Sequence, residues 1–550
     1  MLENSGFNLI ERPWIPLLDR KGNQSMCSLT SLAEYAGNSV RIGGELPTQS
    51  FAILRLYLAI VHRALADPRT GHAGPADLEE WLSLRKNWPR VGDAVQAYLE
   101  RFRESFDLFH PVKPFFQVAD LHTASGAVGP VSAIIADLPA GRQFLTLRTG
   151  SGTASISREE AARWLLHAHA YDIAGIHSGA VGDPRVKAGK GYGIGTGWCG
   201  KLGGIHLVGS TLQETVLLNL IPFAEVGIET RPDDLPPWER LALGPGPEAP
   251  DRQPKGPIEL YTWQSRRIKL FEKGERVIGA LVCQGDPVDE ANRVFLEPMT
   301  AWRLSKAQST KRKADVYMPR ALDPERTLWR GLEALLPVAS ACRGSSGAAD
   351  FIAPRLVEWA SVLELYGNEG GSGGLCRLRA VGIRYGVQQA VIDELVNDEV
   401  DLPWVVFGER AGEFTDLVLD VLDSTEAAVV GYGRLIADLT IAAGGDPQNV
   451  SSARSSASAL LYSNLDVQFR RWLAGLSCAA EIDLLREEWR TIARHTTLEL
   501  ASADLENCGP AAWVGREVLG RQVDAGLAER WFRRRLSNAL PHDKEDPSHG

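Results

Sequence analysis

The chain has 550 residues, 44% of them apolar and 23% charged, and a formal net charge of -10. That balance belongs to a folded protein rather than a disordered one, and the length allows two to four domains that bury roughly three quarters of the unfolded surface. No run of 18 apolar residues is present, which counts against a membrane span. The opening MLENSGFNLIERPW lacks a charged-then-apolar leader, and the seven cysteines are scattered with no C-x-x-C pair. These features fit a cytoplasmic chain without a disulfide framework or a zinc ribbon. The acidity excludes a histone-like coat but not a local basic groove, because a polyanion responds to the local field rather than to the average.

In chain order, helices are expected at 48–66, 159–172, 211–223, 325–338 and 352–366. Strand-like runs lie at 257–271 and 276–283, joined by a turn at Lys273-Gly274-Glu275. Eight prolines between 227 and 257 mark a long surface loop. From 411 to 540 the prolines fall to two, Pro447 and Pro510, and four helical blocks are expected at 411–443, 450–475, 481–500 and 511–537. Leu461, Leu465, Phe469 and Leu473 form one stripe, with Trp472 beside it, and Leu519, Val523, Leu527 and Trp531 form another. Burying such stripes together calls for an antiparallel bundle. The expected fold class is therefore α+β: a large mixed α/β domain over 1–395, a four-helix bundle over 396–540, and a disordered tail over 541–550.

The densest glycine run spans Gly189 to Gly204. It contains G-x-G-x-x-G at Gly195, Gly197 and Gly200, and a near P-loop ending in Lys201, where Leu202 replaces the Ser or Thr that would hold magnesium. A nucleotide site needs an apolar strand before the glycines and a helix after them. Here a polar, broken stretch precedes them and Gly203-Gly204 follows. A nucleotide-binding enzyme built on this loop is thus the alternative reading. The run otherwise reads either as a flexible surface loop or as backbone bare enough to approach a polyanion or a groove.

Two segments are locally basic. Residues 301–320 carry Arg303, Lys306, Lys311, Arg312, Lys313 and Arg320 against Asp315. Residues 264–276 carry Arg266, Arg267, Lys269, Lys273 and Arg276 against two glutamates. Such runs are usually solvated faces, although Trp263 and Trp302 among them favour a phosphate-binding surface. Arg530, Arg533, Arg534 and Arg535 end the last block, where they complement a helix dipole. His167 and His169, two apart on a helix, point to different faces and make a poor metal pair. No G-x-S-x-G elbow, H-E-x-x-H or Cys/His signature is present, so nothing local supports catalysis.

Several stretches together resemble the large subunit of the type I-E CRISPR surveillance complex Cascade, the CasA family. They are Phe7-Asn8-Leu9-Ile10, Arg12-Pro13-Trp14-Ile15-Pro16, Pro114-Phe115-Phe116-Gln117, the Gly191–Gly204 run leading into Glu214-Thr215-Val216, Tyr261-Thr262-Trp263-Gln264-Ser265-Arg266-Arg267, Glu297-Pro298-Met299-Thr300-Ala301-Trp302-Arg303, Trp329-Arg330-Gly331-Leu332, and Gly382-Ile383-Arg384-Tyr385-Gly386 before Gln388-Gln389-Ala390. The resemblance covers nearly the whole chain. It implies a non-catalytic subunit that sits near the 5′ handle of a crRNA, beside the other Cascade proteins. It also implies that the subunit reads the short PAM of double-stranded target DNA, largely through the minor groove, while base pairing to the guide reads the target. A glycine loop, a basic finger and a glutamine wedge do this work, and the bundle adjusts when a helicase-nuclease is recruited.

By resemblance the glycine loop falls on Gly191, Gly193, Gly195 and Gly197, and the wedge on Gln388, Gln389 and Ala390 with Gln389 at its tip. A crRNA-proximal loop falls within 147–156, including Leu147 and Arg148. The segment that resembles the basic finger, about 284–293, offers Arg293 and no lysine. Arg266, Arg267, Lys269, Lys311, Arg312 and Lys313 are candidates by charge. Some family members carry zinc-type cysteine pairs that this chain lacks, so no zinc and no other cofactor is expected.

Overall fold

The computed structural model describes residues 6–138, 146, 148–337, 348–366, 374–518 and 520–541. The fold is α+β. The chain forms two compact units, one of Met1–Arg326, Ala339–Leu363 and Cys376–Glu399, the other of Thr327–Val338, Glu364–Leu375 and Val400–Gly550.

Two helices run through the core of the first unit. Pro47–Ala64 has proline at its first turn, where the missing N–H costs nothing, and buries residues on every face. Arg158–Tyr171 starts on a capping sequence, with the Ser157 side chain accepting from the Glu160 N–H, and it too is buried nearly all round. Two small antiparallel sheets matter for the site. In one, Arg266–Lys273 and Arg276–Gln284 form a hairpin, closed at the expected turn with Lys273 opposite Arg276, and Ile156–Ser157 adds an edge. In the other, Leu375–Tyr385 lies between Ile392–Pro403 and Gly204–Val208, with Arg377 opposite Val208 and Val381 opposite Gly204.

The first half of the expected strand 257–271 is instead a short helix, Pro257–Tyr261. Pro257 opens it, and the buried Asp234 carboxylate accepts from the N–H groups of Ile258 (3.0 Å) and Glu259 (2.8 Å). The proline-rich loop is therefore ordered. Arg63 and Tyr98 bind Glu239, and Arg267 donates to the carbonyls of Gly244 and Gly246.

In the second unit the described residues contain four long helices: Ala411–Ala443, Pro447–Ala474, Ile482–Asn507 and Ala525–Ala539. The second is capped by the Asp446 side chain and opens with Pro447. It runs antiparallel to the first, placing Tyr462 against Glu426 and Ser458 against Gly433. The third returns alongside the first, where Trp489 donates to Thr425 (2.9 Å) and Tyr432 to Asp504 (2.5 Å). The stripe of Leu461, Leu465, Phe469 and Leu473 is fully buried, and Phe469 packs edge-on against Trp489.

The expected fourth block is two helices separated by a hairpin. Pro510–Val514 is one turn, Arg516–Val518 pairs with Arg521–Val523, and the long helix begins only at Ala525 behind an Asp524 cap. Its buried face is accordingly Ala525, Ala528, Phe532 and Leu536 rather than the register that included Leu527 and Trp531. Leu519 lies outside the described residues. The expected helix at 325–338 is a 3-10 segment, Leu328–Ala334, whose Trp329 stacks on Phe469 (4.2 Å between ring centroids) and donates to Asp466 (2.7 Å). Packing against the bundle replaces helical propensity there.

Leu465→Ala should destabilise the second unit by about 2–5 kcal/mol, the usual cost of a buried leucine cavity. Val467→Ala, on the exposed side of the same helix, should cost no more than about 0.5 kcal/mol. Urea denaturation followed by tryptophan fluorescence measures both. Equal costs would refute the assignment of the packed face.

Candidate nucleic-acid interface

The helix Arg158–Tyr171 ends at Asp172, and the chain continues through a half-buried elbow, exposed only at Ile176, to His177. Arg266, at the start of the hairpin, holds that elbow. Its Nε donates to Asp172 Oδ2 (2.6 Å), Nη2 to the carbonyls of Ile173 (2.8 Å) and Gly195 (2.9 Å), and Nη1 to its neighbour Ser265 (2.9 Å). Four of the five guanidinium N–H groups are thus engaged. His177 Nε2 lies 3.0 Å from the same Asp172 oxygen. Burial alone would raise the Asp172 carboxyl, but Arg266 and then His177 outweigh it and hold the group at about 2.

The glycine run lies against this elbow. Gly191 pairs with His177, and the Gly197 N–H donates to the Asp172 carbonyl (2.9 Å). A Cβ on Gly197 would lie 2.5 Å from the Ala170 carbonyl, so the residue must be glycine for the backbone to come this close. Gly195, whose carbonyl Arg266 grips, sits at φ +95. Downstream, Trp198 is fixed twice, by its backbone N–H to Ser265 Oγ (3.2 Å) and by its indole to Glu297 (2.7 Å). Glu297 forms a bidentate pair with Arg55 (2.7 and 2.8 Å), and all three side chains are buried. Neither neighbour of a nucleotide loop is present. Two strand residues, Lys190–Gly191, precede the glycines, and a four-residue 3-10 turn leading to the strand Gly204–Val208 follows them. Lys201 binds Glu290 (3.2 Å) and the Val288 carbonyl (3.2 Å).

On the other side of the elbow stands the tip between Leu375–Tyr385 and Ile392–Pro403. The Gly386 N–H meets the Val391 carbonyl (2.9 Å), and two further turn bonds tighten the loop, from Gln389 to Gly386 and from Ala390 to Val387. Gln388 and Gln389 both occupy the left-handed region, at φ 54 and 55, which costs roughly 1–2 kcal/mol each for a residue with a Cβ. The tip is tied to the elbow by the Ala174 N–H donating to the Gln389 carbonyl (2.9 Å) and by Tyr385 Oη donating to the Tyr171 carbonyl (2.6 Å). Gln388 and Gln389 are exposed and Ala390 half-buried, while Val387 is 82% exposed. The glycine run and the glutamine tip, nearly 200 positions apart in sequence, therefore share one five-residue support, 171–175.

The charge-based candidates separate sharply. Arg266 and Arg267 are 0% and 1% exposed and do not form a phosphate track. Arg267 donates to Asp286 (2.6 Å) and to loop carbonyls, so both arginines hold loops in place. Lys269 is half-buried on the Ala119 carbonyl (2.6 Å). Arg293 is half-buried, bound to the Asp289 carbonyl and the Gln253 side chain, and the exposed Arg312 pairs with Asp289 (3.1 Å). Lys311 and Lys313 are exposed, with no ion-pair partner among the described residues. Arg148 binds Asp137 and Glu160, and Leu147 lies outside the described residues.

His167 and His169 point apart, to Thr48 (2.9 Å) and to the Phe116 carbonyl (2.8 Å). Burial lowers them to about 4 and about 3, so both are neutral at pH 7. Sequence reasoning passed over Lys187, Lys190, Tyr192 and Val387, all exposed beside the glycine run or on the tip. Only Gly189 of the two turn residues favours positive φ, so no Asn-Gly or Asp-Gly pair marks this hairpin in the sequence.

With this geometry in place, comparison with known proteins identifies the class. The family model of CRISPR-associated protein Cse1 matches residues 8–500, and the chain belongs to that family. It is similar to the crystal structure of Thermobifida fusca Cse1, with 41% identity over 98% of each chain and a TM-score of 0.87. It is 32% identical to CRISPR-associated protein CasA/Cse1 of Thermus thermophilus over 342 residues, an alignment spanning 60% of this chain and 60% of that relative. It shares the fold of a chain from a CRISPR RNA-guided surveillance complex, at 18% identity over 97% and 99% of the two chains and a TM-score of 0.66.

Because the Asp172 carboxyl is depressed in the folded state, its stabilising contribution is complete above about pH 4 and disappears as the pH falls toward about 2. Asp172→Asn should therefore be less stable than the parent at pH 7, with the gap closing between those limits. Denaturant melts at stepped pH measure this. A gap that stays constant down to pH 2 would show that the ion pair contributes nothing.

Proposed function

We propose that this chain is the PAM-reading subunit of a crRNA-guided effector of the Cascade type. It has no catalytic role of its own and assembles with the other Cascade proteins and the crRNA. The observation that carries the reading is the shared support of the glycine run and the glutamine tip. A minor groove is about 6 Å wide, so bare backbone at the exposed Gly193 and the half-buried Gly195 can enter where side chains would clash, whereas Gly191 and Gly197 are buried and support them from within. The strained tip next to it presents two amides and an apolar Val387. This is the composition of a wedge that forces a base step open at a cost of a few kcal/mol.

In this account the PAM is read in closed duplex DNA, and the tip splits the first base pair so that the guide can start pairing. The double-stranded target then zips onto the crRNA, and the helicase-nuclease is recruited to the filled complex. The family membership and the likeness to a surveillance-complex chain support this reading. The exposed Lys311 and Lys313 remain candidates for phosphate contact. Among the described residues, no helix is long and apolar enough to cross a membrane.

A PAM-library binding screen with the reconstituted complex tests the proposal. Gly193 is the informative glycine, because it is exposed and a Cβ there, 3.2 Å from the Gly175 carbonyl, needs the elbow to give by only a few tenths of an ångström, whereas Gly197 has no room. Gly193→Val and Gln389→Ala should each lower affinity for PAM-bearing duplex at least tenfold and flatten the preference among PAM sequences, since one lost base-step contact is worth about 1–3 kcal/mol. Parental complex that binds all library members alike would reduce the subunit to a structural cap.

A further inference from the structure

Beside the glycine run, Lys187 and Lys190 form the closing pair of a two-residue β-turn. Each N–H donates to the other's carbonyl (3.0 Å in both directions), and the intervening Ala188 and Gly189 both lie at positive φ, 49 and 73. This is the geometry of a type I′ hairpin. Gly189 accepts from the Gly179 N–H (2.9 Å), and Lys190 pairs with Ser178 directly before Gly191 pairs with His177. The turn is thus continuous with the elbow that carries the glycine run.

Directly opposed residues of an antiparallel pair share one face, with Cα atoms about 5.5 Å apart when they exchange both hydrogen bonds. The two lysine side chains therefore leave the same face of the turn, an arrangement that opposes folding because like charges face each other. Neither has an ion-pair partner among the described residues, and both are exposed. Arg185, two residues before the turn, is taken up by Asp183 and by the carbonyls of Gln284 and Gly285. Beyond them Tyr192 is half exposed and presents a ring next to Gly193. Two lysines on one face of a tight turn, unpaired among the described residues, are complementary to closely spaced anions.

We propose that Lys187 and Lys190 form a phosphate clamp for the backbone of double-stranded DNA, seating the duplex so that the glycine run faces its minor groove. This rests on the PAM-reading role above. Phosphate contacts fix register without reading sequence, whereas groove contacts read sequence. The clamp and the glycine run therefore fail in different ways when altered.

The test is duplex binding by the reconstituted complex, with and without PAM, at several salt concentrations between 50 and 200 mM. For Lys187→Ala with Lys190→Ala, affinity should fall for PAM and scrambled duplexes by the same factor. The slope of log affinity against log salt should be shallower by about 1.8, that is about 0.9 per lost phosphate contact. The paired arginine replacement should keep the parental slope. The alanine variant should melt no lower than the parent, because it removes a repulsion. An unchanged slope overturns the clamp even if PAM preference persists. An altered slope with no PAM preference in the parent would keep the clamp and remove the PAM-reading role. A variant that melts lower while keeping the parental slope would assign the lysines to the fold instead.

Discussion

Arg266 is a guanidinium with no exposure to water, and everything else in the candidate interface follows from how its charge is satisfied. Removing such an ion from water costs several kcal/mol, repaid only if an opposite charge and well-placed acceptors surround it. Asp172 provides the charge, and the carbonyls of Ile173 and Gly195 provide the acceptors. Those acceptors belong to the elbow and to the glycine run. The electrostatic requirement of one side chain therefore fixes the spacing of two segments, and the glutamine tip inherits that spacing through Ala174.

A second buried pair, Arg55 with Glu297, anchors the far end of the same run through Trp198. Between these anchors the bare backbone is held at both ends. A glycine loop left unsupported would lose conformational freedom on meeting a groove and bind weakly for that reason. Here much of that ordering is complete before any ligand arrives. The strain at Gln388 and Gln389 has the same logic, since left-handed residues persist only where the surroundings over-determine them. The net charge of -10 also takes on a different meaning. Several of the arginines that looked like a nucleic-acid track are spent inside the protein, and the exposed cations of those segments include Arg303, Lys311 and Lys313.

Much of the architecture was legible in sequence because it is local. The end of the first bundle helix at Ala443 is marked by Gly444-Gly445-Asp446-Pro447, and the Leu461–Leu473 stripe follows directly from periodicity. The misses are non-local. Asp234 caps the Pro257–Tyr261 helix from 24 residues away, so alternation of apolar residues pointed to a strand. The hairpin within 510–539 shifts the register of the last helix, which a stripe counted through it cannot reveal. Arg266 and Arg267 looked like surface charge because their acids lie 94 and 19 residues away. The glycine run and the glutamine tip were placed by family resemblance, and their common support at 171–175 was visible only in the fold.

The central claim is that one ion pair keeps the glycine run and the tip in a single register. Amide hydrogen exchange of the parent and of Arg266→Met, read by mass spectrometry on peptides covering 191–197 and 386–391, measures it most directly. Both peptides should lose protection together in the variant while the bundle peptides over 447–474 exchange as before. Loss of protection in the glycine peptide alone, with 386–391 unchanged, would contradict it.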